Sequence, residues 1–289
     1  MGELFSPQDL PSTGLDPAVQ QDREAFVTAV WDFYRVAGRS MEWRSHPSPY
    51  WVFVSEVMLQ QTQVARVTQR FPVFVSRFPG FLSLAEAPLS QVMAEWTGLG
   101  YNRRGRFLHQ AARQVVQEFQ GELPADPEEL KKLPGIGPNT AGSVAAFAFN
   151  RPVVFVETNI RRVVLHHFFH HRENVPDSDI LPVVEATLCR ENPREWYWAL
   201  MDYGVYLSKT VGNANRRSRH YSRQSPFENS DRQLRGRILR LLTETGSLTA
   251  AEMPEHTGFP KERVDHVLGS LSREGMLAQT PGGRWVIAD

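Results

Sequence analysis

The chain has 289 residues, 41% of them hydrophobic and 22% charged, with 32 basic side chains against 32 acidic ones. That length holds one large domain or two modest ones with a real core, and the composition excludes a disordered tail and fits a soluble globular protein. A single cysteine, Cys189, excludes an intrachain disulfide and a four-cysteine metal site, which points to a reducing, intracellular setting.

Residues 1–21 read as a flexible leader. MGELFSPQDLPSTGLDP has no basic segment followed by an apolar block, and no apolar run in the chain approaches the roughly 20 residues of a membrane span. From about Asp22 to Tyr221 the pattern is helices joined by short turns, beginning with REAFVTAVWDFYRVAG. In PYWVFVSEVMLQQTQVARVTQRF, Ser48 is placed to cap the helix and Pro49 suits its first turn. Inside that apolar run sit one carboxylate, Glu56, and the adjacent Gln60 and Gln61; Glu56 shares its helical face with Val52, Leu59, Gln60 and Gln63. Taken alone, such a segment is a surface helix with scattered polar residues.

LSLAEAPLSQVMAEWTGLG, RRGRFLHQAARQVVQEFQG and PEELKKLPGIG continue the helical pattern. Arg103, Arg104 and Arg106 crowd one loop-to-helix junction, and Arg216, Arg217, Arg219 and Arg223 crowd another stretch. Basic patches within a neutral total are compatible with nucleic-acid binding, while a charge run taken alone is more often a solvated face. The β-branched run at 153–156 is read as a buried connector entering a helix. SRQSPFENSD is polar and turn-rich, and the domain boundary is placed in it, with a linker at 222–230.

Residues 231–289 change character. RQLRGRILRLLTE is an amphipathic helix, a second short one opens at Thr249, and FPKERVDHVLGSLSREG gives a third ending at Gly275. MLAQTPGGRWVIAD then reads as two short strands around Pro281-Gly282-Gly283. Three helices and a hairpin form the winged-helix arrangement, a module that contacts DNA or protein.

The string LPGIGPNTAG, from Leu133 to Gly142, is the most informative. Gly135 and Gly137 permit a tight turn and close backbone approach, and a new helix starts at once. The exposed N–H groups at its N-terminus attract anions. Gly135, Gly137, Asn139 and Thr140 therefore form a candidate grip for a DNA phosphate that reads no base. The carbonyls of 133–137 are also a candidate site for a monovalent cation.

LPGIGPNTAGSVAAFAF followed by VVFVETNIRRVV resembles the helix-hairpin-helix (HhH-GPD) DNA glycosylase superfamily. VSEVMLQQTQV and WTGLGYNRRGRFLHQAA are similar to its MutY-like adenine glycosylase branch. The resemblance covers roughly residues 25–210. It implies an all-α, two-lobed glycosylase fold over 22–221, with a helical-barrel lobe at about 50–150 and a second lobe from 22–49 plus 151–221, followed by the winged helix. It implies that Glu56 is the catalytic acid and that Gln60 and Gln61 push into the base stack where a nucleotide is flipped out, with Tyr101 opposite them. Arg103, Arg216 and Arg217 then contact DNA.

The chemistry agrees with this assignment. Breaking an N-glycosidic bond in a duplex requires extruding the nucleotide and filling its place in the stack, which planar amides and an aromatic ring can do. Protonating the leaving base by a positioned acid contributes about 10² to 10⁴ in rate. A second, ionised carboxylate should stabilise the oxocarbenium-like sugar. That carboxylate would be Glu157, where the superfamily has aspartate; the alternative is a glutamate capping the helix that begins near Thr158. Asn159 matches the branch and is expected to position a water or the sugar.

Lyase-competent relatives carry lysine where this chain has Asn139, so the resemblance implies a monofunctional enzyme acting through water. Relatives also hold a [4Fe–4S] cluster on four cysteines, and YGVYLSKTVGNANRRSRHYSRQSPF has none, so no cluster and no other cofactor is expected. The usual C-terminal domain that reads 8-oxoguanine is replaced by the winged helix. The first choice of target is adenine opposite 8-oxoguanine or guanine. Thymine or uracil opposite guanine, a deaminated or modified purine, and a non-catalytic role in binding DNA structure stay open. The expected partner is double-stranded DNA with a mismatch or lesion, bound by a monomer in the cytoplasm, on the nucleoid in a bacterium.

Overall fold

The computed structural model describes residues 13–223 and 225–288. Most of the expected leader, residues 1–12, lies outside them. Gly14 and Leu15, within it, donate their backbone N–H groups to the carbonyl of His167. In chain order the helices are α1 (Gln20–Ala37), α2 (Glu42–Ser45), α3 (Pro49–Leu59), α4 (Val64–Arg77), α5 (Phe81–Glu86), α6 (Leu89–Trp96), α7 (Arg103–Phe119) and α8 (Pro127–Leu130). They continue with α9 (Pro138–Phe149), α10 (Thr158–His167), α11 (Asp177–Ala186) and α12 (Pro193–Thr210), then a 3-10 turn at Ala214–Arg217. After the linker come α13 (Asp231–Thr245), α14 (Met253–Thr257), α15 (Lys261–Arg273) and the strands β1 (Leu277–Gln279) and β2 (Trp285–Ile287). Among the described residues the architecture is all-α apart from that hairpin. No helix among the described residues is long and apolar enough to cross a membrane.

Two compact units interleave along the chain. The first takes the chain up to Val52, 125–128 and 137 to Arg223; the second takes Phe53 to Pro124, 129–136 and everything after Arg223. Helix α9 thus groups with the segment carrying Glu157, and the C-terminal helices group with the segment carrying Gln60 and Tyr101.

In the first unit α1 and α10 both pack on α12. Phe26, Val30 and Phe33 recur at helical spacing, so α1 buries one stripe. Phe26 meets Trp196 edge-on at 6.2 Å and Phe168 at 5.0 Å. Burying each such ring contributes about 1.5–3 kcal/mol. Asp202 of α12 is buried and accepts from both Arg39 and Arg44, at 2.6 and 2.9 Å, which ties α12 to the start of the chain. No strand forms at 153–156; Phe155 and Val156 are buried and lead into α10.

In the second unit Val67, Phe71, Phe74 and Val75 form the buried stripe of α4. Helix α5 packs on α7, and α6 packs on both α4 and α7. Gly105 is required where α7 crosses Trp96, since a Cβ there would sit 2.8 Å from the indole. The C-terminal segment has the expected order. Its strands pair antiparallel as Leu277↔Ile287, Ala278↔Val286 and Gln279↔Trp285, and Leu248 bonds to the Trp285 backbone in both directions. The second helix starts later than expected, at Met253. Thr249 and Glu252 instead close a reciprocal hydrogen-bonded turn before it. Helix α13 also packs against α6.

Candidate active site and nucleic-acid interface

Helix α3 starts as its sequence dictates, with Ser48 Oγ accepting from the Trp51 N–H at 3.2 Å. Glu56 is half-buried between Ser55 and Val57, both buried. The helix stops at Leu59, and a side chain takes its last carbonyls. Arg104 Nη1 donates to the oxygens of Val57 and Met58, both at 2.8 Å. Its Nη2 donates to Thr62 Oγ1 at 2.8 Å, Gly100 O at 3.1 Å and Leu99 O at 3.3 Å. A helix leaves such carbonyls unsatisfied and presents negative partial charge there, so a guanidinium suits the place.

Arg104 therefore joins two turns that carry candidate wedge residues. Gln61 has φ +55 and takes the left-handed position after α3 where glycine is usual. Tyr101 has φ +47, directly after Gly100 at φ +72, and no helix end accounts for it. A bulky side chain there is an outlier costing about 1–2 kcal/mol, of the kind that gathers at functional sites. Gln60 Nε2 donates to Gly135 O at 3.4 Å, so the hairpin touches the same turn.

The arginine patch resolves into distinct parts. Arg104 is buried, which corrects its inclusion in a DNA-facing cluster; burial pushes its pKa down to about 10, leaving it charged at neutral pH. Arg103 is exposed and lies 3.7 Å from Glu274. Arg106 lies against Gly275, where a Cβ would come within 2.6 Å of its Nη2.

The two hairpin glycines differ. Gly135 has φ +78, and a Cβ there would lie 2.9 Å from Phe107 Cβ, so only glycine fits. Gly137 has φ −88 and nothing within 4 Å of a built Cβ, so the fold does not demand glycine there. Its bare surface leaves room for an outside group at the first turn of α9, where Asn139 is exposed and Thr140 partly so. The carbonyls of Leu133 and Gly135, named for a cation, each accept a protein donor.

Glu157 caps α10. Its Oε1 accepts from the Asn159 and Ile160 N–H groups at 2.7 and 2.9 Å, and its Oε2 accepts from Asn159 Nδ2 at 3.2 Å. Asn159 Oδ1 in turn accepts from Arg162 Nη1 at 2.7 Å, which also donates to Gly204 O at 2.9 Å. Gly204 allows this approach: a Cβ would sit 2.6 Å from Asn159 O. Burial pushes the Glu157 carboxyl upward, opposed by the two backbone donors and by Arg162 and Arg161. One lone-pair direction remains on Oε2, so the cap fixes the carboxylate without using it up.

The stretch for which the resemblance raised an iron–sulfur cluster is held by other means. Asn215 Nδ2 donates to Thr158 O at 3.0 Å, and Val175 exchanges backbone hydrogen bonds with Arg217 and Arg219, both at 2.9 Å. Arg216 is exposed there; Arg217 is half-buried, 3.9 Å from Glu173. Asparagine and arginine do not ligate iron, and the single cysteine, Cys189, lies outside the stretch, so the residues present do not fit a cluster.

Sequence reasoning missed Arg104 as an organiser, Arg162 as the partner of Asn159, and Arg232, which reaches Tyr101 Oη at 3.0 Å. Arg104 had one signal, its place three residues after the Gly-Leu-Gly-Tyr turn. Arg162 had one too, three residues beyond Asn159 on the same helix face. Arg232 had none.

Residues 54–179 match the model of the HhH-GPD superfamily of base excision DNA repair proteins. The adenine DNA glycosylase of Mycobacterium tuberculosis (strain ATCC 25618 / H37Rv) is 30% identical, covering 94% of this chain and 96% of its own. That of Mycolicibacterium smegmatis is 31% identical, over 89% and 94%. Among solved structures, a thermostable thymine-DNA glycosylase shares the fold with a TM-score of 0.57 and 24% identity, over 63% of this chain and 85% of its own. The chain belongs to the HhH-GPD superfamily of base excision DNA repair proteins and, within it, to the adenine DNA glycosylase family.

Proposed function

We propose that this protein hydrolyses the N-glycosidic bond of an adenine flipped from duplex DNA, with 8-oxoguanine or guanine opposite. It is a DNA N-glycosylase of the base-excision class. The observation that carries the adenine assignment is the similarity to adenine DNA glycosylases at 30% identity along nearly the whole of both chains. In this reading Glu56, at the half-buried end of an apolar helix, protonates the leaving base. Glu157, whose ionised form two backbone donors and two guanidinia favour against the upward push of burial, stabilises the cationic sugar as a carboxylate. Asn159 orients the attacking water or the sugar from its fixed place between Glu157 and Arg162.

Gln60, Gln61 and Tyr101 fill the vacated stack, and the left-handed turns at Gln61 and Tyr101 support that role. Gly135, Gly137, Asn139 and Thr140 hold the backbone of one strand, and Arg103, Arg216 and Arg217 add phosphate contacts. Asn139 offers no amine for a Schiff base, which supports a monofunctional reaction that leaves an abasic site. The same reasoning holds the protein to be iron-free and colourless when purified.

Alkali-revealed strand cleavage across duplexes containing adenine, thymine, uracil or hypoxanthine opposite 8-oxoguanine, guanine or cytosine tests the assignment. Excision confined to adenine opposite 8-oxoguanine or guanine is expected. Preference for another base would move the target, and binding without excision of any would leave only a DNA-structure-binding role. A borohydride-trapped protein–DNA adduct would overturn the monofunctional reading.

A further inference from the structure

We propose that the C-terminal three-helix segment is a built-in brace for the stack-filling turn, and that Arg232 is the residue through which it positions Tyr101. This rests on the reading of Tyr101 as part of the wedge. Arg232 Nη1 donates to Tyr101 Oη at 3.0 Å, with the guanidinium 6.0 Å from the ring centroid. Its Nη2 is held by Ser225 O at 2.6 Å and by Pro226 O at 3.3 Å, so the linker fixes the arginine. Arg104 lies 5.6 Å from the same ring. Tyr101 is thus pinned by two cations while its backbone holds a conformation that a tyrosine seldom adopts.

A second contact braces the first turn of α7 from the same segment. Glu274, at the end of α15, binds Arg235 at 2.5 Å and faces Arg103 at 3.7 Å, while Gly275 supplies the bare surface against Arg106. Two contact points set the segment's position on this turn, and one of them ends on the hydroxyl of the wedge residue. The consequence is preorganisation. A ring already held by its hydroxyl loses less freedom when it enters the base stack, and that gain is realised only where a base leaves the stack. Arg232 should therefore sharpen preference for lesion-bearing DNA over intact duplex rather than raise affinity for both.

The test uses the full-length protein with Arg232→Ala, Arg232→Lys, Tyr101→Phe, the Arg232→Ala/Tyr101→Phe double variant and Tyr101→Ala. Affinity is measured for a duplex with adenine opposite 8-oxoguanine and for the matched intact duplex, over a salt series. Fluorescence of 2-aminopurine beside the target adenine reports unstacking. Arg232→Ala should lower the ratio of the two affinities by about tenfold, the scale of one charge-assisted hydrogen bond. Adding it to Tyr101→Phe should cost nothing further, and Arg232→Lys should recover part of the ratio. Thermal unfolding identifies a variant that has lost its fold, in which case Tyr101→Phe alone decides, since it removes only the hydroxyl. A loss equal on both duplexes, additive with Tyr101→Phe, and accompanied by a salt slope lower by about one would make Arg232 a phosphate contact and overturn the brace. Unchanged preference in Tyr101→Ala would remove the wedge reading itself, and the brace with it.

Discussion

Replacing Glu157 by glutamine separates two roles that one carboxylate can hold. As a cap, Glu157 satisfies the N–H groups of Asn159 and Ile160 and steadies the Asn159 amide. Glutamine keeps an oxygen for the two backbone donors but turns an N–H₂ toward Asn159 Nδ2, so only the 3.2 Å contact is lost. Full loss of a cap costs about 0.5–2 kcal/mol, and this partial loss belongs at the low end, lowering Tm by about 1–3 °C. As an electrostatic stabiliser, the same change removes the charge itself. That should lower single-turnover excision by at least about 10², or roughly 2.7 kcal/mol of transition-state stabilisation. Rate and stability thus diverge if the proposal is right. Glu157→Asp tests the geometry: aspartate is among the best capping residues, so stability should hold, while the carboxylate withdraws by more than about 1 Å. A slower Glu157→Asp enzyme means the site is shaped for glutamate, and a faster one means it has drifted. If Glu157→Gln lowers Tm as expected and leaves excision within about threefold, Glu157 is a capping residue and no more, and the second carboxylate lies elsewhere.

The parts of this fold that local chemistry decides were legible. Ser48 and Pro49 start α3, and Gly135 turns the hairpin because only glycine takes φ +78 against Phe107. What could not be read is where a long side chain goes. Arg103, Arg104 and Arg106 are alike in sequence, yet one is exposed, one is buried under five oxygens, and one lies on a glycine from the far end of the chain. Charge clustering reports composition, whereas burial depends on which carbonyls the fold leaves unpaired. The strain at Tyr101 was equally hidden, since nothing in Gly-Tyr-Asn forces the tyrosine itself to a positive φ. Periodicity gave α13 an apolar face but no partner for it, so its packing on α6 and the reach of Arg232 appeared only in three dimensions. Glu157 shows a further limit. Capping and catalysis both ask for a carboxylate at the start of a helix, so the sequence supports both at once.

Three further substitutions test the site. Glu56→Gln removes the dissociable proton at constant size; lesion binding should persist while excision nearly vanishes, and excision within tenfold of the unmodified protein would take Glu56 out of the acid role. Gly204→Ala forces a Cβ to within 2.6 Å of Asn159 O, so it should slow excision and lower Tm despite alanine's better helix propensity; an unchanged or higher Tm would show that α10 and α12 adapt without cost. Arg104→Lys keeps the charge but replaces a fork with a point, and one ammonium with three donors cannot serve the carbonyls of Val57, Met58, Leu99 and Gly100 together with Thr62. Gly100 O keeps the Trp96 indole donor at 3.1 Å and Leu99 O keeps the Thr62 hydroxyl at 3.2 Å, so the loss is that of the charged fork, about 1–3 kcal/mol in all, which lowers Tm by roughly 2–12 °C. Because the same guanidinium sets the turns of Gln61 and Tyr101, preference for lesion-bearing over intact duplex should fall together with stability. Should Tm drop while that preference stays intact, Arg104 supports the fold alone, and the two turns hold their left-handed conformations without it.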